Sequence, residues 1–201
     1  DQGRFADDIA AVALSGLVGV TLPVNDQGRP LRPAMIWMDA RSEPECEDIR
    51  TRVGEAAINR NNGNRIAPWF IDPKALWIKR HEPHIFSAIH KFLSPSGYCT
   101  FRMCGNFTMN TGDAGLAYAY EYQKESWNEG IANAIGVPLE MFPRLYRSHE
   151  LVGEGTRQPA CAPARWLRPA APTSARRRSA SASPKRAKPI TRWAPAPILV
   201  S

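Results

Sequence analysis

Apolar positions in the first part of the chain fall in short, strand-length runs, and after residue 42 they take up helical spacing. Ile9-Ala-Ala-Val-Ala-Leu14 is a continuous apolar run closed by Ser15-Gly16, the pattern of a buried strand. Residues 17–24 form a second β-rich run, followed by turn chemistry at Asn25-Asp26-Gln27-Gly28. Residues 34–38, preceded by Pro30 and Pro33, predict a third short strand. This opening stretch therefore reads as a small sheet containing a hairpin.

Ser42 and Glu45 have the spacing of a capping box. Glu43, Glu45, Glu47 and Asp48 suit the positive end of a helix dipole. The pattern predicts one helix from there to about Ile58, ended by Asn61-Asn62-Gly63. Asp72-Pro73 predicts a second start, an N-cap followed by proline in the first turn, with Asp72 and Lys74 as helix-start residues. That helix carries Leu76, Trp77 and Ile78 and stops near His81-Glu82-Pro83. Further helices are expected over 83–89, 95–104 and 127–135, with 114–122 either a strand or an extended loop. The fold class is α/β.

The chain has 201 residues, 43% of them apolar, enough for one domain with a real core plus a tail. No run of eighteen apolar residues is present, so no membrane partner is expected. There is no signal peptide, and Asp1 stands where a Met would begin a chain, which reads as a start that has been lost. Cys46, Cys99, Cys104 and Cys161 show no paired spacing, which argues against a disulfide framework or a zinc site and favours a cytoplasmic setting.

The net charge of +7 is unevenly placed. Residues 156–201 hold ten of the 26 Lys/Arg and none of the 19 Asp/Glu, which leaves sixteen basic against nineteen acidic groups in residues 1–155. The body is mildly acidic, so no specific nucleic-acid partner is expected of it. The tail has eight Pro, eleven Ala and the run Arg176-Arg177-Arg178. Such a composition cannot bury enough apolar surface to offset its ordering entropy, so residues 156–201 are expected to be disordered.

No short catalytic signature is complete: there is no P-loop, GxSxG, HExxH or GxGxxG. His81, His84, His90 and His149 are scattered and suggest no metal site. The information lies in longer segments and their order. Ile9-Ala-Ala-Val-Ala-Leu-Ser-Gly16 is followed by Asn25-Asp-Gln-Gly-Arg-Pro-Leu-Arg-Pro-Ala-Met-Ile-Trp-Met-Asp-Ala-Arg41 and by Ala67-Pro-Trp-Phe-Ile-Asp-Pro-Lys-Ala-Leu-Trp-Ile-Lys-Arg-His-Glu-Pro83. Then come Leu93-Ser-Pro-Ser-Gly-Tyr98, Arg102-Met-Cys-Gly-Asn-Phe107, Thr111-Gly-Asp-Ala114, Trp127 and Ile135-Gly-Val-Pro138. Over roughly residues 8–154 this series resembles the amino-terminal domain of the FGGY carbohydrate kinases, the family of xylulokinase, glycerol kinase and gluconokinase.

The resemblance implies an actin-like, ribonuclease-H-like pair of α/β domains, of which residues 1–155 are an incomplete first one, the sugar-binding side. It implies phosphoryl transfer from ATP, with Mg²⁺, to a small-molecule sugar or polyol, a pentulose such as xylulose foremost. It leaves room for a homodimer of the intact parent. The loop Ser15, Gly16, Val18 and Gly19 is where the family faces its sugar, although Val18-Gly19 departs from the polar pairs that xylulokinases and glycerol kinases carry there. Trp37 and Trp69 match aromatic positions that flank substrate, each with plain packing as the competing reading. Asp39 with Arg41 either bonds to substrate or forms a structural pair, and Asp113 either faces the sugar or caps its own turn. No residue is nominated as general base.

Two family parts lie outside the match. The opening strand and its Asp-x-Gly-Thr phosphate loop belong before residue 1, and the catalytic aspartate and ATP domain belong after residue 155. Reading the tail one frame over from Pro159 permits a Gly-Gly-x-Asp segment and a Gly-Thr-Gly loop like the family's domain junction. The tail then reads as a frameshifted start of the ATP-binding domain, and this chain as an inactive fragment. Two alternatives stay open: a non-catalytic carbohydrate-binding or interaction domain, and a nucleic-acid binder using the basic tail. A body without its first strands is also expected to expose sheet edges.

Overall fold

The structure, a computed structural model, describes residues 11–154 and 197–200. Strand β1 (Val12–Leu14) leads through an irregular bend to β2 (Leu22–Val24). Helices α1 (Glu43–Arg52), α2 (Glu55–Asn62), α3 (Ile71–His81) and α4 (Pro83–Phe86) follow, then β3 (Lys91–Leu93) and α5 (Pro95–Cys104). The remainder is β4 (Thr108–Asn110), α6 (Thr111–Ala114), β5 (Tyr120–Glu121), β6 (Ser126–Trp127), α7 (Glu129–Ile135), β7 (Arg144–Tyr146), β8 (Leu151–Glu154) and β9 (Pro197–Val200).

The turn after β2 forms as its residues predict. Asn25 Oδ1 accepts from the Gln27 and Arg29 amides, and Gly28 takes φ +69°, with the Phe101 ring where a side chain would stand. The hairpin is reduced to single bridges, Val24 with Pro30 and Thr21 with Met35, so the strand expected over 34–38 is absent. Pro33 cannot donate to a ladder, and beyond Met35 the side chains of Trp37 and Met38 turn outward. The partner of β2 is β3, antiparallel, with Leu22 opposite Leu93.

The long helix expected from Ser42 is two helices. Gly54, at φ +85°, lies between them in a backbone region that breaks helical continuity. No capping box forms: the Ser42 hydroxyl donates to Pro68 O at 3.1 Å, and Glu45 is buried against Arg80. Helix α3 has Phe70 as its N-cap and starts one residue before Asp72, whose carboxylate accepts the Tyr118 amide at 2.6 Å. Helix α5 runs as predicted, with Ser94 capping through Gly97 N and Gly105 closing at φ +79°.

The main core gathers around α3, where Ile71, Ala75 and Ile78 pack with Ile49, Ile58, Phe92, Tyr118 and Ile135. A row of asparagines ties α2 to the segment after α6. Asn61 Nδ2 donates to Tyr118 O and Tyr120 O, Asn62 Nδ2 to Ala117 O and Asn64 Nδ2 to Gly115 O, all within 2.9 Å. The expected helix stop at Asn61-Asn62-Gly63 is therefore also a stitch that satisfies buried carbonyls.

Of residues 156–201, expected to be disordered, the structure describes four. Pro197–Val200 is a strand lying between β1, to which it runs parallel, and β8, to which it runs antiparallel. Extended apolar residues there supply the backbone partners that the two edges lack. Residues 155–196, with the basic runs and most of the proposed shifted frame, lie outside the described residues. Among the described residues no helix is long and apolar enough to cross a membrane.

Candidate functional site

The bend between β1 and β2 is pressed against two other parts of the chain, and two of its glycines mark the contacts. Gly19 has φ +67°, and a Cβ there would lie 2.9 Å from Trp37 Cβ and 3.5 Å from Trp69 O. Only glycine fits so close an approach in that backbone region. A Cβ on Gly16 would lie 2.9 Å from Ser96 N and 3.2 Å from Pro95 Cβ. Three residue steps separate the two contacts, a reach of at most about 11 Å. The bend thus joins an aromatic pole, Gly19 with Trp37 and Trp69, to a polar pole, Gly16 with Ser96.

At the polar pole the N-terminus of α5 presents Ser94 and Ser96, whose hydroxyls are 3.0 Å apart. Ser96 Oγ donates to Asp113 Oδ2 at 2.8 Å. The turn around Asp113 is capped by Asn110, which accepts the Gly112 amide, so the Asp113 carboxylate caps nothing of its own and faces Ser96. Ser15 and Gly16 are exposed here.

At the aromatic pole Trp37 is 51% exposed and Val18 55%, high for apolar side chains and shared with neighbouring Leu17 and Met38. Trp69 is partly buried, with the Arg65 guanidinium 5.2 Å from its ring centre. Both tryptophans line an open cleft of about 770 Å³, whose charged wall is Glu43, Glu55, Arg50 and Arg65. Asp39 sits two residues past Trp37, and its Oδ1 accepts Arg41 Nε at 2.8 Å. Burial acts to raise its pKa, but the Arg41 hydrogen bonds and charge outweigh that and hold it below the usual carboxylate range.

The segment carrying Trp69 is clamped from several sides. Arg50 Nη2 donates to Ile66 O, and the Ile66 amide donates to Glu55 Oε1. Tyr118 OH accepts the Ala67 amide at 2.7 Å and donates to Ala67 O at 3.1 Å, while Ser42 holds Pro68 O. Lys74, fully buried on α3, donates from Nζ to Gly19 O at 2.8 Å, Ile36 O at 2.9 Å and Trp69 O at 3.1 Å. Burial pushes its pKa down to about 8, with Asp39 acting in the opposite direction.

Lys74 and Ser96 are the residues that the reading from sequence missed. A signal for Lys74 was present: it lies three residues after Ile71 and four before Ile78, inside the apolar stripe of α3. Ser96 carried no comparable mark, since a serine after Ser94-Pro95 fits any helix start.

The surface offers two apolar ring faces able to lie against sugar C–H groups, with a hydroxyl and a carboxylate a short reach away to bond hydroxyls. Among the described residues no group of three or more His, Cys, Asp or Glu is arranged to hold a metal ion.

Residues 4–164 match the FGGY family of carbohydrate kinases, N-terminal domain. The chain is 35% identical over 147 residues to a xylulose kinase of Escherichia coli, covering 73% of this chain and 30% of that protein. It is 32% identical over 148 residues to a xylulose kinase of Bacillus subtilis, covering 74% and 30%. Among solved structures it resembles a xyloylose kinase from Brucella ovis, with a TM-score of 0.70 and 25% identity over 75% of this chain and 31% of that one. It resembles a xylulose kinase from Rhodospirillum rubrum in fold, with a TM-score of 0.70 at 22% identity over 74% and 31%. The chain thus spans about 30% of the length of the relatives it matches. Its mixed α/β fold is that of the amino-terminal part of these actin-like, ribonuclease-H-like kinases. The chain belongs to the FGGY family of carbohydrate kinases, in the part that corresponds to their amino-terminal domain.

Proposed function

We propose that this chain is the sugar-facing part of a kinase that transfers the γ-phosphoryl group of ATP to a hydroxyl of a pentulose, xylulose first. The observation that carries the reading is the approach of Gly19 to Trp37 and Trp69, which sets the bend beside the cleft that both aromatics line. The names of the relatives support the choice of sugar. In this reading Trp37 and Trp69 take the apolar face of the sugar, and Ser96 with Asp113 takes hydroxyls at the other end of the bend.

Phosphoryl transfer depends on positioning and on neutralising phosphate charge. Asp39 is paired with Arg41, and Asp113 accepts from Ser96. The proton acceptor, the nucleotide site and Mg²⁺ are assigned to other parts of a longer protein. The 201-residue chain alone is accordingly expected to bind sugar without hydrolysing or transferring from ATP.

The test has two arms. Tryptophan fluorescence of the 201-residue chain titrated with xylulose should show saturable binding, weakened roughly three- to tenfold by Trp37→Ala. A protein extended to the length of the relatives should consume ATP with xylulose and lose efficiency with the same substitution. Saturable binding that Trp37→Ala leaves unchanged, or an extended protein that phosphorylates no sugar, would overturn the reading.

A further inference from the structure

We propose that Lys74 is the positioning residue of the cleft: its ammonium fixes the backbones of Gly19, Ile36 and Trp69 so that Trp37 and Trp69 face a single ligand. The inference rests on the sugar-facing reading for the identity of that ligand, but not for the positioning itself.

An ammonium group has three donors and no acceptor. Here the three donors meet three carbonyls, and each belongs to a different segment. Gly19 ends the exposed bend, Ile36 precedes Trp37, and Trp69 carries its own indole into the cleft. No other side chain among the described residues ties these three segments together. An arginine could not replace it, because a planar fork matches parallel acceptors rather than three converging ones.

Stability alone is a poor reason to keep this lysine. Burying a charge among neutral carbonyls is costly, and only an arrangement that engages all three donors offsets that cost. A residue kept for packing would be replaceable by Met, whereas a residue kept for geometry would not. The charged neighbour facing Nζ is Asp39, itself held by Arg41. On α3 the other ionisable group nearby is Asp72, whose carboxylate is turned to the Tyr118 amide.

The protonation state gives a readout that packing would not move. Burial brings the Lys74 pKa down to about 8. Below that pH all three carbonyls have donors. Above it the neutral amine retains two N–H groups, and one carbonyl loses its partner. Ordering of Trp37 should therefore be complete at low pH and decline as pH rises through about 8.

The experiment uses the 201-residue chain, its Lys74→Met variant and Trp37→Phe. Acrylamide quenching is followed from pH 6 to 9.5, with xylulose affinity measured at pH 6.5. The wild type should show a rise in quenching centred near pH 8. That rise should vanish in Lys74→Met, which would be quenched at every pH, and shrink in Trp37→Phe, which removes the more exposed of the two reporters. Lys74→Met should bind xylulose at least roughly tenfold more weakly, as expected where buried carbonyls lose a donor. A wild type with no transition near pH 8, or a Lys74→Met chain that keeps one, would overturn the proposal. So would Lys74→Met binding as tightly as wild type. A Lys74→Met chain that fails to fold leaves the wild-type pH profile and its reduction in Trp37→Phe as the deciding measurements. Should the wild type bind no sugar, the functional reading fails while the quenching profile still decides the role of Lys74.

Discussion

The region around α3 and the sheet β1–β9–β8 are held by different kinds of bond. Around α3 side chains reach across long sequence distances to backbone groups. Asn61, Asn62 and Asn64 bind the segment 115–120, Tyr118 holds Ala67, Asp72 holds the Tyr118 amide, and Lys74 holds the cleft. The sheet is joined by backbone pairing, and Val152 is the buried residue of the small cluster beneath it. Side-chain anchors fix one geometry, because a residue one place away cannot make the same bond. Backbone pairing accepts any extended segment of suitable length. The cleft sits on the anchored region, and the accommodating region lies at its margin.

The largest effect should come from removing the anchor that touches both helices and cleft. Tyr118 is fully buried, its ring packs 4.8 Å from Phe70, and its hydroxyl makes two bonds to Ala67. Tyr118→Ala should cost about 3–5 kcal/mol in urea unfolding, the usual range for deleting a buried aromatic. A cost below about 1 kcal/mol would show that the 66–70 segment has other sufficient supports.

Much of the contrast was legible in the chain before its structure. Helix α5 was plain because Ser94-Pro95 and Gly105 are strong local stops, and local signals suffice where an element begins and ends by its own chemistry. The break at Gly54 was not, since one glycine inside a polar helical pattern costs too little to show. Ser42 and Glu45 imitated a capping box because the motif records spacing alone. In the structure Ser42 spends its hydroxyl on Pro68, 26 residues away, and Glu45 meets Arg80. The same limit applies to the cleft. Trp37, Trp69 and the bend were placed by resemblance, but Lys74 passed for a helix-start residue because its three acceptors are scattered over fifty positions of sequence. Strands of two or three residues, such as β3 and β4, lack the length on which alternation can be read.

A second effect, smaller and of opposite sign, separates an anchor from its cost. Burial pushes the Asp72 pKa up to about 6, against the Tyr118 and Ala119 amide bonds that lower it. A carboxyl whose folded pKa lies above its unfolded value makes the native state bind more protons between the two. Stability contributed there is present below about pH 4 and lost as pH rises to about 6. Asp72→Asn keeps an acceptor for the Tyr118 amide without the buried charge. It should match the wild type near pH 4 and exceed it at pH 7.5 by on the order of 2 kcal/mol. Parallel stability–pH curves for the two proteins would show that Asp72 does not titrate in this window.

The smallest effect on the body should follow from deleting residues 197–201, although the whole centre of the three-stranded sheet would go. The register pairs that β9 makes, Val12 with Ile198, Leu14 with Val200 and Leu151 with Leu199, are backbone pairs at the margin. None of the buried residues around α3 belongs to them. Regions of one protein open with separate free energies, and the weakest do so without the core. The main urea transition should therefore move by less than about 1 kcal/mol. Hydrogen exchange should tell the regions apart: amides of β1 and β8 lose protection, while Tyr118 and Ala119 keep theirs. The two bared edges should also pair between molecules, seen as concentration-dependent oligomers in size-exclusion chromatography. If Tyr118 and Ala119 lost protection together with β1, the anchored and the paired regions would be one cooperative unit and the distinction between them would fall. Unchanged protection in β1 would instead mean that its edge is covered by something other than Pro197–Val200.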